Sequence, residues 1–231
     1  PNPEDPEAFE IALEWARKKD ADIVVATDPD CDRMGAVIKD RSGHYRMLSG
    51  NEAGALMVHY LLSTMDKEGR LPHNGAVVKT VVTGEMGAKI AESYNVKVFQ
   101  TLTGFKYIGE KMNEFEDRKD YRFLFGYEES YGYLAGDYAR DKDAVGASAL
   151  LCDMAAYYKR QGKTLLDVLD ELYETYGYFM ETLESRTFKG KEGQAKMERM
   201  MDGWRRTPLL EAAGIGGKET LDYLHGRDGL P

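Results

Sequence analysis

Short apolar runs alternate with helical segments through the middle of this chain, and this alternation limits the available folds more than any other feature. Apolar runs at 76–81, 96–100 and 121–125 flank segments with helical spacing, and two helices are predicted after them, at 144–160 and 165–176. Strands that alternate with helices pair as a parallel sheet with helices packed on its faces. The sequence therefore predicts an α/β fold.

The residues before this region follow a related pattern. They predict a helix, a strand, a hairpin and a second helix, at 5–18, 23–26, 34–48 and 51–65. The strand at 23–26 is rich in β-branched residues, which is typical of a buried parallel strand. Pro72, with a glycine three residues to either side, predicts a boundary between two domains.

The charge balance and the cysteines narrow the class of protein. The formal net charge is −9, from 40 acidic and 31 basic residues, which argues against a nucleic-acid partner because such a partner requires a basic surface. No apolar run approaches the roughly 18 residues of a membrane span, and no signal peptide is recognisable. Cys31 and Cys152 match no metal or redox spacing, so we expect reduced thiols in a cytoplasmic protein.

Three aspartates at alternate positions, Asp28, Asp30 and Asp32, directly follow the strand at 23–26. In a tight loop their carboxylates can converge, and three negative charges this close favour a bound cation. Ligands that are all oxygen favour Mg²⁺ over Zn²⁺. Arg33 comes next in the chain and is well placed to contact a phosphate beside the metal. The segment thus predicts a magnesium site.

Three alternatives compete with a magnesium loop. The first is an acidic surface loop, which the apolar strand before it disfavours. An EF-hand counted from Asp28 requires Gly at its sixth position and Glu at its twelfth, where this chain has Arg33 and Lys39, so we exclude it. A phosphatase loop with an aspartate nucleophile also follows a strand, and although its usual continuation differs from this sequence, the alternative stays open.

A loop rich in glycine and tyrosine, at 127–143, follows the strand at 121–125. Within it, Glu128 and Ser130 stand at alternate positions, so a carboxylate and a hydroxyl can bind neighbouring hydroxyls of one sugar. A loop that packs through its tyrosines is the alternative explanation. The pattern alone does not decide between them.

Cationic side chains stand near two other predicted strand ends. Thr103–Lys106 opens a helix, whose first amides attract an anion together with Lys106. A solvated lysine at a strand–helix turn explains these residues equally well. Lys79 lies near the end of a predicted parallel strand, which is the usual position of a ligand crevice.

Two of these segments resemble a known family. Residues 27–35, TDPDCDRMG, resemble the magnesium loop of the α-D-phosphohexomutases, the phosphoglucomutase and phosphomannomutase family. Residues 126–134, GYEESYGYL, resemble the sugar-binding loop of the same family. The resemblance extends over about residues 1–190.

The resemblance implies roles for individual residues. Mg²⁺ is implied as the cofactor, held by Asp28, Asp30 and Asp32 and by the phosphate of an active-site phosphoserine. Glu128 and Ser130 are implied to contact hydroxyls of the sugar ring. Catalytic roles are implied for Arg33 and Lys79, and further substrate contacts for Thr103, Lys106, Arg140 and Lys142.

The family fold implies two three-layer α/β/α domains with mixed, mainly parallel sheets. We expect residues 1–70 to form an incomplete metal-binding domain and residues 74–177 to form the sugar-binding domain. Residues 178–231 are expected to be a linker, with a strand at 179–188 and a helix at 192–204, leading toward an absent C-terminal domain.

The implied reaction moves phosphate between the 1- and 6-positions of a hexose, through an enzyme phosphoserine and a bisphosphate intermediate. The expected ligands are hexose phosphate and hexose bisphosphate, with glucose favoured and mannose next. The family's serine nucleophile segment and its last phosphate-binding loop are not recognisable, so we expect part of a longer protein that is inactive alone. Open sheet edges also favour self-association. The alternatives are a noncatalytic module that binds Mg²⁺ and sugar phosphate, and a metal-dependent phosphatase.

Overall fold

The computed structural model describes residues 2–181, 187–207, 211–212, 215–216 and 222–223. The chain divides into two compact units, residues 1–179 and 180–231, and each is described by itself. Within the described residues, the first unit holds two β-sheets and six α-helices. The predicted α/β class is therefore confirmed.

The first sheet is an antiparallel meander of three strands, β1 (Ile23–Thr27), β2 (Met34–Lys39) and β3 (Tyr45–Met47). All residues of β1 are only partly buried and pair with β2. Our prediction of a buried parallel strand at 23–26 was wrong in both respects. The connection between β1 and β2 has six residues, which suits an antiparallel pair but not the longer crossover of a parallel one.

The second sheet has the strand order β5-β4-β6-β7 and consists of β4 (Gly75–Thr80), β5 (Lys97–Thr101), β6 (Arg122–Tyr127) and β7 (Tyr133–Ala135). The central strand β4 is parallel to β5 and β6, whereas β7 is antiparallel to β6. The segment at 127–143, predicted as a loop, thus contains a short strand. The carboxyl ends of β4 and β6 lie side by side, so the loops after them meet at one edge of the sheet.

The helices of the first unit are α1 (Glu10–Lys19), α2 (Gly50–Lys67), α3 (Met86–Ser93), α4 (Phe105–Arg118), α5 (Ala144–Lys159) and α6 (Leu165–Tyr176). Side chains fix the first turns of several of them. Ser49 and Glu52 form a capping box on α2, and the Asp143 carboxylate accepts from the first free amides of α5. Each such cap is worth about 1 kcal/mol.

Helices cover both faces of the second sheet, as its alternating side chains require. Ala76 and Val78 of β4 join an apolar cluster with residues of α4, whereas Val77 joins the main core, which includes residues of α2, α5 and α6. The sheet is therefore the middle layer of an α/β/α sandwich.

Tyr127, the last residue of β6, is wedged into the main core. A Cβ added to Gly54 of α2 would lie 2.3 Å from Tyr127 Cδ2, and one added to Gly87 of α3 would lie 2.1 Å from the Tyr127 hydroxyl oxygen. Two glycines thus let two helices approach one buried ring. This packing fixes the point at which the chain leaves the sheet toward Glu128.

The second unit contains α7 (Gly190–Arg206) and two short paired strands, β8 (Glu211–Ala212) and β9 (Ile215–Gly216). The helix predicted at 192–204 is confirmed. Residues 179–181 and 187–188 of the predicted strand at 179–188 are not in a strand, and residues 182–186 lie outside the described residues. No helix in the described part of the chain combines the length and apolar character needed to cross a bilayer.

Candidate active site

The loop after β1 winds around the carboxylate of Asp28. The backbone amides of Asp32 and Arg33 donate to Asp28 Oδ1 at 3.1 and 3.0 Å. The amide of Cys31 donates to the Asp28 carbonyl, and Cys31 itself has a left-handed φ of 55°. This tight turn brings one carboxylate oxygen each of Asp28, Asp30 and Asp32 within 4.8 Å of one another.

These three oxygens fit a small divalent cation. Mg²⁺ binds oxygen at about 2.1 Å, so ligands on opposite sides of the ion lie about 4.2 Å apart. The observed separations of at most 4.8 Å require small side-chain rotations to reach that value. Asp28 is buried, but Asp30 is exposed and Asp32 is partly exposed, so the latter two side chains have room to rotate. The donor set is all oxygen, as Mg²⁺ prefers.

Arg33 is held by two carboxylates from different parts of the chain. Its Nε donates to Asp28 Oδ2 at 2.9 Å, and its Nη1 donates to Glu4 Oε1 at 2.7 Å. Burial of Asp28 disfavours its charge, but hydrogen bonds from Arg33 and Asp32 outweigh this effect and lower the pKa of Asp28 to about 2. Asp28 therefore stays ionised at neutral pH.

The loop after β6 turns tightly around Glu128, which is only 6% exposed. The Glu128 amide donates to the Gly132 carbonyl at 2.9 Å, and Tyr131 between them has a left-handed φ of 67°. The amide of Gly104, just before α4, donates to Glu128 Oε1 at 3.0 Å. Burial raises the pKa of Glu128, an effect that the positive charge of Lys142 and the Gly104 amide oppose.

The two loops meet. Residues 33 and 132 form an antiparallel β-bridge, and the Met34 amide donates to the Tyr131 carbonyl at 3.0 Å. Lys142 Nζ lies 2.9 Å from Asp32 Oδ2, and its stem passes Gly132, where an added Cβ would be 2.4 Å from Lys142 Cδ. The aspartate loop and the Glu128 loop therefore line one common site.

Comparison with known proteins assigns this arrangement to a family. Residues 1–43 match the family model described as phosphoglucomutase/phosphomannomutase, alpha/beta/alpha domain II, and residues 49–176 match the one described as alpha/beta/alpha domain III. The chain belongs to the phosphoglucomutase/phosphomannomutase family. The domain III match begins before α2, whereas we predicted the division near residues 70–74; that division remains a prediction.

Individual relatives agree with this membership. A phosphoglucomutase of Staphylococcus haemolyticus is 40% identical over 222 residues, which are 96% of this chain and 39% of the relative. The chain thus spans about two fifths of the length of the curated relatives that it matches. A solved structure of a phosphoglucomutase/phosphomannomutase family protein from Burkholderia thailandensis has a TM-score of 0.57 at 20% identity, covering 74% of this chain and 33% of its own.

A second solved structure, pp63/parafusin from Paramecium, has a TM-score of 0.55 at 17% identity. It covers 84% of this chain and 32% of its own. Both solved structures show the fold that this chain shares with the family.

Two cationic residues predicted at the site are engaged elsewhere. Lys79 is fully buried, and its Nζ donates to the carbonyls of Thr80 and Thr83 and to Glu85 Oε1. Arg140 pairs with Glu116 of α4 and donates to Asn113 Oδ1 at 2.8 Å. Within the described part of the chain, neither side chain forms a hydrogen bond or an ion pair with the aspartate loop or the Glu128 loop.

The remaining predicted residues border the site. Thr103 and Lys106 are exposed at the start of α4, next to the Gly104 amide that contacts Glu128, and Lys106 Nζ lies 4.7 Å from the centroid of the Tyr107 ring. Ser130 is partly exposed at the turn of the Glu128 loop. These residues remain predicted substrate contacts.

Sequence reasoning missed two carboxylates in this region. Glu4 contacts Arg33 across 29 residues of sequence, and no local pattern marks that contact. Glu129 accepts from the hydroxyls of Thr80 and Thr83 at 3.2 and 3.1 Å. The sequence shows this second glutamate beside Glu128, but no local pattern pairs it with threonines 46 and 49 residues away.

Proposed function

We propose that this chain is the metal-binding and sugar-binding part of a Mg²⁺-dependent phosphohexose mutase. The enzyme interconverts hexose 1-phosphate and hexose 6-phosphate, with glucose favoured and mannose next. Family membership and the names of the curated relatives support the reaction class. The observation that carries the proposal is the β-bridge between residues 33 and 132, because it joins the predicted metal loop to the predicted sugar loop.

In this proposal Asp28, Asp30 and Asp32 hold Mg²⁺. The ion supplies positive charge that offsets the charge developing on a transferring phosphoryl group. Arg33 binds a phosphate oxygen beside the metal. Its contacts to Asp28 and Glu4 use Nε and Nη1, so those carboxylates leave Nη2 to a further acceptor.

The sugar is bound by the opposite wall of the site. Glu128 accepts hydrogen bonds from ring hydroxyls, and Ser130 exchanges a hydrogen bond with a neighbouring hydroxyl. Lys142 lies within reach of both loops and neutralises the anionic ligand. A mutase must bind its sugar in two orientations, because the 1-position and the 6-position must each reach the metal site. A carboxylate and a hydroxyl can form equivalent hydrogen bonds with the ring hydroxyls in both orientations.

The complete reaction is also part of the proposal. A phosphoserine outside residues 1–231 donates its phosphate, and a hexose bisphosphate is the intermediate that reorients between two transfers. The isolated chain accordingly has negligible mutase activity. Thr103, Lys106 and Arg140 are proposed as outer contacts to the substrate, and the two unpaired cysteines support the predicted cytoplasmic location.

A binding experiment tests the proposal. Calorimetric titration of the chain with Mg²⁺ is expected to show one site, and Asp30→Asn to weaken it at least about tenfold, because one of three anionic ligands is lost. Asp117→Asn, an exposed aspartate on α4, is the matched control. Glucose 1-phosphate is expected to bind in the presence of Mg²⁺. Unchanged Mg²⁺ affinity in Asp30→Asn would refute the metal assignment.

A turnover experiment separates the alternatives. In a longer protein that includes this sequence, glucose 1-phosphate is expected to yield glucose 6-phosphate without net release of inorganic phosphate. Release of phosphate without glucose 6-phosphate would favour the phosphatase. Binding of both ligands without either product would favour the noncatalytic module.

A further inference from the structure

A partly buried polar network ties the Glu128 loop to the end of β4. Glu129 Oε2 lies 3.2 Å from Thr80 Oγ1 and 3.1 Å from Thr83 Oγ1, and the two hydroxyl oxygens lie 2.7 Å apart, so the two hydroxyl protons form two of these three hydrogen bonds. Thr80 is 0% exposed and Thr83 is 3% exposed. A carboxylate that satisfies two buried hydroxyls forms a charge-assisted contact, which is among the stronger hydrogen bonds in proteins.

The same network continues to Lys79. Its Nζ donates to the Thr83 carbonyl at 2.7 Å, to the Thr80 carbonyl at 3.3 Å and to Glu85 Oε1 at 3.0 Å. A buried ammonium carries three protons and needs three acceptors, and these atoms supply them. The lysine therefore fixes the turn that presents the Thr83 hydroxyl to Glu129.

The start of α2 holds the Glu128 loop from another side. A Cβ on Gly50 would lie 1.9 Å from the carbonyl oxygen of Glu129, so the helix touches the loop backbone directly. Asn51 Oδ1 accepts from the Gly84 amide at 2.9 Å, which ties the same helix to the turn after β4. Three elements thus converge on Glu129.

We propose that Lys79, Thr83 and Glu129 form a latch that positions Glu128 and Ser130 for the sugar. The inference rests on the proposed function, since it concerns how the sugar loop is held. It changes the role of Lys79 from a catalytic residue to a positioning residue. Because Glu129 directly precedes Ser130 and follows Glu128, loss of its anchor lets both sugar contacts move together.

The test compares two substitutions at Thr83, one that removes the hydroxyl at nearly constant shape and one that keeps the hydroxyl. In the 231-residue chain saturated with Mg²⁺, Thr83→Val is expected to weaken glucose 1-phosphate binding about fivefold, the value of one net hydrogen bond. Thr83→Ser keeps the hydroxyl and is expected to restore the affinity. Mg²⁺ affinity is expected to be the same in all three proteins, since the latch lies outside the aspartate loop. Thr175→Val, at an exposed helical threonine, is the control.

The outcomes separate the latch from the proposed function. NMR titration measures the affinity, and Glu128→Ala is measured alongside. If Glu128→Ala weakens binding but Thr83→Val does not, the latch is wrong while the sugar loop stands. If Thr83→Val lowers sugar and Mg²⁺ affinity together, the effect is general damage and the latch is also wrong. If Glu128→Ala leaves the affinity for glucose 1-phosphate unchanged, the sugar-loop assignment is wrong, and so is the latch that depends on it.

Discussion

Gly54→Ala tests the packing of the Tyr127 ring, which fixes the position at which the sugar loop begins. The new Cβ would lie 2.3 Å from Tyr127 Cδ2, and contacting carbons normally lie about 3.5 Å apart, so the ring must move by about 1.2 Å. Gly87 lies against the hydroxyl end of the same ring, which limits how far the ring can move. Overpacking of this kind costs about 3 kcal/mol, and the higher helix propensity of alanine returns about 1 kcal/mol. We expect a net loss of about 2 kcal/mol in the free energy of unfolding.

Urea unfolding followed by circular dichroism measures this loss. Tyr127→Leu removes the ring with which the new Cβ collides. The double variant Gly54→Ala/Tyr127→Leu is therefore expected to lose less unfolding free energy than the two single variants lose together, by at least about 1 kcal/mol. Gly203→Ala in α7 is the control, because among the described residues no atom beyond its chain neighbours and its own helix backbone lies within 4 Å of the added Cβ, and it is not expected to destabilise the chain. Full stability of Gly54→Ala, or additivity in the double variant, would refute the reasoning.

Three further predictions concern charge, capping and turnover. Burial disfavours the charge of Asp167, but hydrogen bonds from Arg41 and Thr164 outweigh this effect and lower its pKa in the folded chain below its pKa in the unfolded chain. The ionised carboxylate therefore stabilises the fold at pH values above the unfolded-state pKa, and this stabilisation is lost as the pH falls through the folded-state pKa. Asp167→Asn is thus expected to reduce the drop in melting temperature between pH 6 and pH 3; an unchanged drop would contradict this. Ser49→Ala removes the α2 cap and is expected to lower the free energy of unfolding by about 1 kcal/mol, and a loss below about 0.3 kcal/mol would count against the cap. The isolated chain is expected to show no glucose 6-phosphate formation in a coupled assay; ordinary turnover would overturn that.

Local signals in the sequence were enough to predict most elements. Helix α6 spans Leu165–Tyr176, which is the range predicted for it. Both of its ends are marked locally in the sequence, by the capping box at Thr164 and by the glycine after Tyr176. The apolar runs that became β4 and β6 were equally visible. The two loops proposed to bind the metal and the sugar were predicted because each directly follows an apolar run.

Contacts between distant parts of the chain could not be predicted in the same way. The antiparallel pairing of β1 depends on the turn around Asp28, whose geometry the sequence does not show. The position of Lys79 at a strand end indicated a ligand contact, but its burial depends on acceptors in the following turn. Glu129 meets Thr80 across 49 residues, and only the folded chain brings them together.

The metal site is the claim on which the proposed function depends. Crystals of the chain grown with Mn²⁺, a substitute for Mg²⁺ with anomalous scattering, test it directly. We predict one anomalous peak between Asp28, Asp30 and Asp32, within about 2.5 Å of one oxygen from each. A peak at another position, or density that shows the three carboxylates pointing away from the cleft shared with Glu128, would contradict the account.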